Sequence, residues 1–461
     1  MWGKILIVVL IAWLSASFFA RVKNFFFSTP QLPLIKDELW WGPGKPYANE
    51  DTDIKPFTIN VSQTVLTDLN WRLSQALPFQ PALEGVQQQY GINTNHLRNI
   101  IDFWQTKYDW RQREKLLNIF PQYTTSIQGL KIHYIHVKPK VTKGVKVLPL
   151  FILHGWPSSA REFYDIIPLL TNPTGDFVFE VVAPSLPGYA FSAAAVRPGL
   201  NPMEIAVIFK NLMERLGFHR YYLHGGDWGS QVVAAMATLY PHKILGTHSN
   251  FCFVNTPLAH LKLMVGSFFP WLIVEDDIRD KVYPLSEKYM RWIEETGYMH
   301  IQATKPDTIG VALRDSPVGL AAYLMEKYSI FTNPHWKNLD DAGLTQKFKL
   351  EDLLDNVMIY WVTGCITSSM RIYAESFNER YNSLKLPQIP TPVPSGCARF
   401  SHEVVYQPET VLRQKFPNLV HLADYEGGHF AAAEEPKILA KDLYLFVEKV
   451  EKISGDNKGT R

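Results

Sequence analysis

Ten residues, YYLHGGDWGS at positions 221–230, constrain this chain more than any others. Tyr221, Tyr222, Leu223 and His224 suit a short buried strand. Gly225 and Gly226 permit a tight turn, Asp227 sits at its apex, and a helix is expected from Trp228. A residue at such an apex has a strained backbone. A Cβ at Gly225 or Gly229 would meet the crossing chain. Read alone, the segment is also compatible with a glycine turn that uses Asp227 as a helix N-cap. The flanks favour a presented carboxylate. Residues 203–216 (MEIAVIFKNLMERL) have helical periodicity leading into Gly217, and Gly229, Ala234 and Ala235 suit close helix–sheet packing.

A strand, a small-x-nucleophile-x-small turn and a helix make the nucleophile elbow of an α/β-hydrolase, here with aspartate where serine is usual. The exchange changes the chemistry. With an unperturbed pKa near ~3.9, aspartate is already an anion at neutral pH. It can open a strained C–O bond or displace a halide and become an ester of its own side chain. That ester must then be hydrolysed. A base must activate water, an acid must orient the base, and N–H groups must hold the developing oxyanion.

The remaining parts are found by chain order. Residues 147–153 (VLPLFIL) read as a buried parallel strand ending in His154-Gly155-Trp156-Pro157. The backbone N–H groups of Trp156 and Trp228 are the expected oxyanion donors. The base is expected at His429, in Tyr425-Glu426-Gly427-Gly428-His429-Phe430, where two glycines bring the chain against the elbow. Of the other histidines, His133, His136, His224 and His402 are read as structural. The acid is expected at Glu403, just past a strand read over residues 391–400. Asp424 is the fallback, and Asp352 or Asp355, which precede residues 356–363 (NVMIYWVT), would serve if the acid lay after an earlier strand. Residues 356–363 are read as the start of the return to the core.

Taken together, these residues resemble the microsomal epoxide hydrolase family. The resemblance extends to Trp40-Trp41-Gly42, Tyr108-Asp109-Trp110-Arg111, residues 117–123 (LNIFPQY), residues 132–137 (IHYIHV), residues 297–324 and Gly428-His429-Phe430-Ala431-Ala432 with Glu434-Glu435-Pro436. Within that family, length and N-terminus are most similar to the insect juvenile hormone epoxide hydrolases. The resemblance implies Asp227 as nucleophile, His429 as base and Glu403 as acid. It also implies two tyrosines, Tyr298 in GYMHIQ and Tyr373 in MRIYAESF, that hold and protonate the epoxide oxygen. Only the resemblance singles these two out of 21 tyrosines. One departure is Ser401 in ARFSHE, where the family usually has proline. The substrate the resemblance implies is a lipophilic, juvenile-hormone-like terpenoid epoxide, cleaved with water to a diol without cofactor or metal. Broad xenobiotic epoxide hydrolysis, haloalkane dehalogenation and hormone binding are the alternatives.

Composition excludes other classes. The net charge of +2 without a basic tract argues against a nucleic-acid partner. Three cysteines, Cys252, Cys365 and Cys397, show no metal spacing, and their odd number argues against a disulfide framework and for a reducing compartment. The expected organisation is a membrane anchor over 1–24, an N-terminal helical wrapping region over 25–124, hydrolase core over 125–255, an inserted helical cap over 256–352, and core again over 353–461. The central sheet should be mostly parallel. Cap residues Phe268, Phe269, Trp271, Trp292, Tyr298 and Met299 suit either a tunnel lining or helix packing. Residues 452–461 read as a polar, disordered tail. Residues 5–20 are uncharged and mostly apolar, with Arg21 and Lys23 beyond them. An uncleaved single-pass anchor in the endoplasmic reticulum (microsomal) membrane, with a cytosolic body, is favoured over a signal peptide cut near Ser15, Ala16 and Ser17.

Overall fold

A nine-stranded sheet, in the order β1-β2-β3-β5-β4-β6-β7-β8-β9, organises the chain in a computed structural model that describes residues 2–37, 39–45, 50–141, 144–172 and 175–459. The side chains of residues 2–9, 11, 12 and 456–459 lie outside the described residues. The strands are β1 (Lys55–Phe57), β2 (Gln122–Ile127), β3 (Leu130–Val137), β4 (Lys146–Leu153), β5 (Phe177–Pro184), β6 (Tyr221–Gly225), β7 (Ile244–Ser249), β8 (Ser395–Phe400) and β9 (Leu419–Tyr425). The β1–β2, β2–β3 and β3–β5 pairings are antiparallel, and the others are parallel. This is the mostly parallel α/β-hydrolase sheet expected from the sequence. Gln128 (φ 51°) and Gly129 (φ 82°) form the two-residue β2–β3 turn, where both positions need positive φ.

Parallel strands need both faces covered, so β4 to β8 are largely buried, with apolar runs in β4 and β5. The Pro202–Arg215, Asp227–Leu239 and Pro436–Gly459 helices supply much of that cover. The N-terminal helices are joined to this core rather than set apart from it. Trp104 and Trp110 are buried in the same continuous core as Phe151 and Tyr221. Arg113 and Arg161 both pair with the fully buried Asp355.

Between β7 and β8 the chain is helical, as expected of an inserted cap. Its helices include Pro257–Phe268, Leu285–Glu295, Gly297–Thr304 and Pro317–Thr332. Three expectations are corrected. Residues 356–363, read as the start of the return to the core, are the end of the Leu350–Thr363 helix, closed by left-handed Gly364 (φ 67°). A helix buried all round lacks the polar face that reveals its period, so it reads like a core strand. The strand read from Thr391 begins at Ser395, because Pro392 and Pro394 have no N–H to give a ladder. The C-terminal helix runs to Gly459, well into the segment read as a disordered tail.

The cysteine reading is also corrected. Cys252 and Cys397 form a disulfide, while Cys365 is free and buried. The sequence separation of 145 residues hides the pairing. The parallel register that aligns Ser249 with Cys397 brings the two together. At the other end of the chain, Trp2–Phe27 is a single helix. Among the described residues, no helix is long and apolar enough to cross a membrane.

Candidate active site

The expected site residues converge at the C-terminal ends of the parallel strands, the edge where sheets of this kind present their chemistry. Asp227 follows β6 as the first residue of the Asp227–Leu239 helix, at φ 46°. This is the strained apex the sequence predicts. The glycines beside it are enforced by space. A Cβ on Gly229 would lie 2.1 Å from the Leu153 carbonyl oxygen, and one on Gly155 would lie 2.1 Å from Asp227 Oδ1.

The loop after β4 brings one of the two expected N–H donors to Asp227. The Trp156 N–H donates to Asp227 Oδ1 at 2.7 Å. Trp228 occupies the second position of the elbow helix, where an N–H has no acceptor within the helix. The Trp156–Pro157 peptide is cis.

His429 reaches the elbow from the loop after β9. Its Nε2 lies 3.4 Å from Asp227 Oδ2, and its Nδ1 lies 2.6 Å from Glu403 Oε1. Both His429 and Glu403 are buried. Burial alone would push the imidazole pKa down. The Glu403 charge and the hydrogen bond to Asp227 overcome it and hold the pKa well above the ordinary histidine range. Ser401, standing where proline is usual, does not displace the acid. Its N–H donates to the Tyr425 carbonyl at 2.9 Å, and its hydroxyl donates to Glu426 Oε2 at 2.6 Å.

The alternative acids are engaged elsewhere. Asp424 pairs with Arg399 at 2.7 Å, and Asp352 and Asp355 pair with Arg113 and Arg161. The histidines read as structural are also placed away from the elbow carboxylate. His133 bonds Ser185 and Gln122, His136 bonds Glu180, His224 bonds His248, and the His402 ring lies beside that of His335.

Tyr298, from the Gly297–Thr304 helix, and Tyr373, from the Ile366–Ser376 helix beyond the expected cap boundary at 352, close the site. The Tyr298 and Tyr373 rings are 5.9 Å apart and nearly perpendicular. Trp156 lies beside both, parallel to Tyr298 at 5.1 Å and edge-on to Tyr373 at 6.0 Å. Burial first, with the charge of Asp227 adding to it, pushes both phenol pKa values up. Both therefore stay protonated and able to donate at neutral pH.

Asp227, His429, Tyr298 and Tyr373 line one cavity of about 330 Å³, with Trp228, Trp292, Met299, Phe251, Phe253 and Phe331 among its mostly apolar walls. Of the aromatics noted in the cap sequence, Phe268, Phe269 and Trp271 instead face outward. Sequence reasoning missed Phe251 and Phe331, whose rings each lie 5.6 Å from that of His429. Neither belongs to a motif that marks it.

Comparison with known proteins agrees with this geometry. Residues 54–163 match the family "Epoxide hydrolase N terminus", and residues 149–309 match "alpha/beta hydrolase fold". The chain is 49% identical to juvenile hormone epoxide hydrolase 1 of Ctenocephalides felis, over 97% of this chain and 95% of that one. It is 44% identical to epoxide hydrolase 1 of Oryctolagus cuniculus, over 91% and 94%. The crystal structure of juvenile hormone epoxide hydrolase from the silkworm Bombyx mori superposes with a TM-score of 0.90 at 48% identity, covering 91% of this chain and all of that one. By full-length identity, fold and the matched N-terminal module together, the chain belongs to the microsomal epoxide hydrolase family.

Proposed function

We propose that this epoxide hydrolase converts a lipophilic terpenoid epoxide of the juvenile hormone type to a diol, through a covalent ester on Asp227. The observation that carries the reading is the pairing, across one apolar cavity, of an anionic nucleophile with two buried phenols. Asp227 Oδ1 is held by the Trp156 N–H, which leaves Oδ2 to attack an epoxide carbon. As the carbon–oxygen bond breaks, Tyr298 or Tyr373 gives its proton to the departing oxygen. An alkoxide is otherwise a poor leaving group.

The ester is then cleaved. His429 Nε2 takes a proton from water, and the hydroxide adds to the Asp227 carbonyl carbon. The Trp156 N–H, joined by that of Trp228, holds the oxyanion. Collapse expels the diol oxygen, which takes the proton from the imidazolium, and the proton left on the Asp227 carboxyl returns to the tyrosinate, restoring both groups. Glu403 holds the ring at Nδ1 throughout. Esterification removes the Asp227 charge, one of the forces that raise the His429 pKa. Alkylation therefore moves His429 toward its basic form for the second step.

Two measurements test this reading. In a single turnover in heavy-oxygen water, the first diol should carry unlabelled oxygen from Asp227. Label entering it directly from water would sink the covalent scheme. A kcat/KM much higher for a long terpenoid epoxide than for a small aromatic one supports the hormone-like substrate, and similar values favour broad xenobiotic hydrolysis. Displacement of a halide is the second reading. It is favoured only by the buried Trp156 and Trp228 indole nitrogens, which have no hydrogen-bond partner among the described residues.

The proposed location is the endoplasmic reticulum membrane. Trp13, Phe18, Phe19, Phe25 and Phe27 of the N-terminal helix are exposed. The Pro257–Phe268 helix packed beside it adds exposed Met264 and Phe268, with Phe269 and Trp271 following. A cytosolic body remains the proposal from the basic flank, although the Cys252–Cys397 bond removes the argument from a reducing compartment. Protease protection in sealed microsomes decides, and a protected body overturns the cytosolic placement.

A further inference from the structure

Outside the groups the mechanism uses, one buried carboxylate is organised entirely around the catalytic histidine. Glu434 ends the short Ala431–Glu434 helix and is 6% exposed. Its Oε2 accepts from the Gly428 N–H at 2.7 Å, and its Oε1 accepts from the Phe430 N–H at 2.8 Å. These are the peptide groups on either side of His429. Oε1 also accepts from the Thr332 hydroxyl at 3.1 Å. Three donors, and no lysine or arginine among the described residues, meet this side chain. Burial pushes its carboxyl up to about 8, against the pull of those donors.

Thr332 belongs to the last turn of the Pro317–Thr332 cap helix, and that turn grips the same loop by its backbone. The Phe331 carbonyl accepts from the His429 N–H at 3.0 Å. A Cβ on Gly428 would lie 2.4 Å from the Thr332 carbonyl oxygen, so loop and helix end touch backbone to backbone. On the core side, Asn250 Nδ2 donates to the His429 carbonyl at 3.1 Å. The loop between β9 and the C-terminal helices has no ladder of its own here. These few bonds therefore set where the imidazole stands. The turn also carries Phe331, whose ring lies 5.7 Å from that of Tyr298 and 5.6 Å from that of His429.

We infer that Glu434 and Thr332 are positioning residues for ester hydrolysis, clamping the His429 loop to the end of the Pro317–Thr332 helix so that cap and base keep one register. The clamp acts through His429, which transfers no proton in the first, alkylating step. Its loss should therefore fall on the second step alone. A displacement of about 1 Å at a catalytic group is enough for on the order of 10²-fold. The inference rests on the reading of His429 as the base that cleaves the Asp227 ester.

The test separates the two steps with a terpenoid epoxide under pre-steady-state conditions, following the covalent enzyme by intact mass. Glu434→Gln keeps the size but turns an amide N–H toward the backbone donors. It should slow ester hydrolysis roughly 10- to 100-fold and leave alkylation nearly unchanged, so the ester accumulates. Thr332→Val should show a smaller defect of the same kind, and Thr332→Ser, which keeps the hydroxyl, should restore the rate. Thr332→Val also decides the matter if Glu434→Gln does not fold. Equal losses in both steps, or no loss in a folded Thr332→Val protein, would overturn the inference. His429→Gln is the control. If it accumulates no ester, the mechanism itself has failed rather than the clamp.

Discussion

The Tyr298 ring lies parallel to the Trp156 indole, with centroids 5.1 Å apart and planes 9° apart. One residue thus gives its backbone N–H to Asp227 Oδ1 and a stacking face to Tyr298 from its side chain. The N–H proposed to serve the ester carbonyl and the phenol proposed to serve the epoxide oxygen are referenced to the same tryptophan.

Tyr298→Phe and Tyr373→Phe should each lower kcat/KM for an epoxide by about 10²- to 10⁴-fold, and the double variant should be close to inactive. Each change keeps the ring and its stacking, so thermal stability should move little. Halide displacement needs no proton for its leaving group. Haloalkane turnover that the double variant leaves intact would favour the dehalogenase reading, and epoxide turnover that survives in it would sink the proton-donor role of the tyrosines.

Glu403→Gln should lower stability in a pH-dependent way. The His429 pKa is depressed by burial but raised further by Glu403 and then by Asp227, for a net upward shift. A pKa raised on folding contributes stability that is present in full below the unfolded value near ~6.5. That stability is lost as pH rises through the folded value. The Tm gap between Glu403→Gln and the parent should therefore be widest near or below about pH 6.5 and shrink toward alkaline pH. A gap of constant size would argue against the electrostatic coupling. The same experiment with Asp227→Asn should give a smaller trend of the same sign.

What could be read from the sequence follows the range of the signals. The strands β4, β5 and β6 announce themselves as apolar runs, and the elbow is local, so Asp227, Trp156 and Trp228 were legible as one constellation. Chain order and two glycines located His429, and Glu403 followed from the strand before it. Residues 356–363 were not legible, because Val357, Met358, Ile359 and Tyr360 are all buried and show no polar face. The Cys252–Cys397 bond needs the β7–β8 register, which no local pattern encodes. Tyr298 and Tyr373 carry no local mark of their chemistry and came only from family resemblance. Glu434 stood in the quoted motif, but its role depends on contacts with Thr332, 102 residues away.

Asp442→Asn should destabilise the fold without touching the elbow. Asp442 is fully buried. It bonds His248 at 2.8 Å, His421 at 2.7 Å and Tyr425 at 2.6 Å, and His248 in turn meets His224 on β6 at 2.9 Å. Burial would raise its pKa, but the bonds from His248 and His421 win and hold it below the usual carboxylate range. A depressed pKa contributes stability above the unfolded value near ~3.9, lost as pH falls through the folded value. Breaking such a buried charged network costs about 3–5 kcal/mol. Urea unfolding at neutral pH should report a loss of that order, and the gap should narrow below about pH 4.

The disulfide closes a chain loop that holds the whole cap. Cys252 precedes the first cap helix, Pro257–Phe268, and Cys397 lies in β8, the first core strand after the cap. Paired β7 and β8 already hold these points together in the folded state. The bond therefore acts mainly on the unfolded chain, where closing a loop of this length is worth about 4–5 kcal/mol in the chain-entropy view. Cys252→Ser with Cys397→Ser should lower Tm while leaving kcat/KM for a terpenoid epoxide largely unchanged, since neither sulfur touches Asp227, His429 or the tyrosines. Thiol titration in denaturant should find one reactive thiol in the parent, that of Cys365, and three after reduction. Three thiols in the untreated protein would remove the bond from the functional enzyme, and with it this share of the stability.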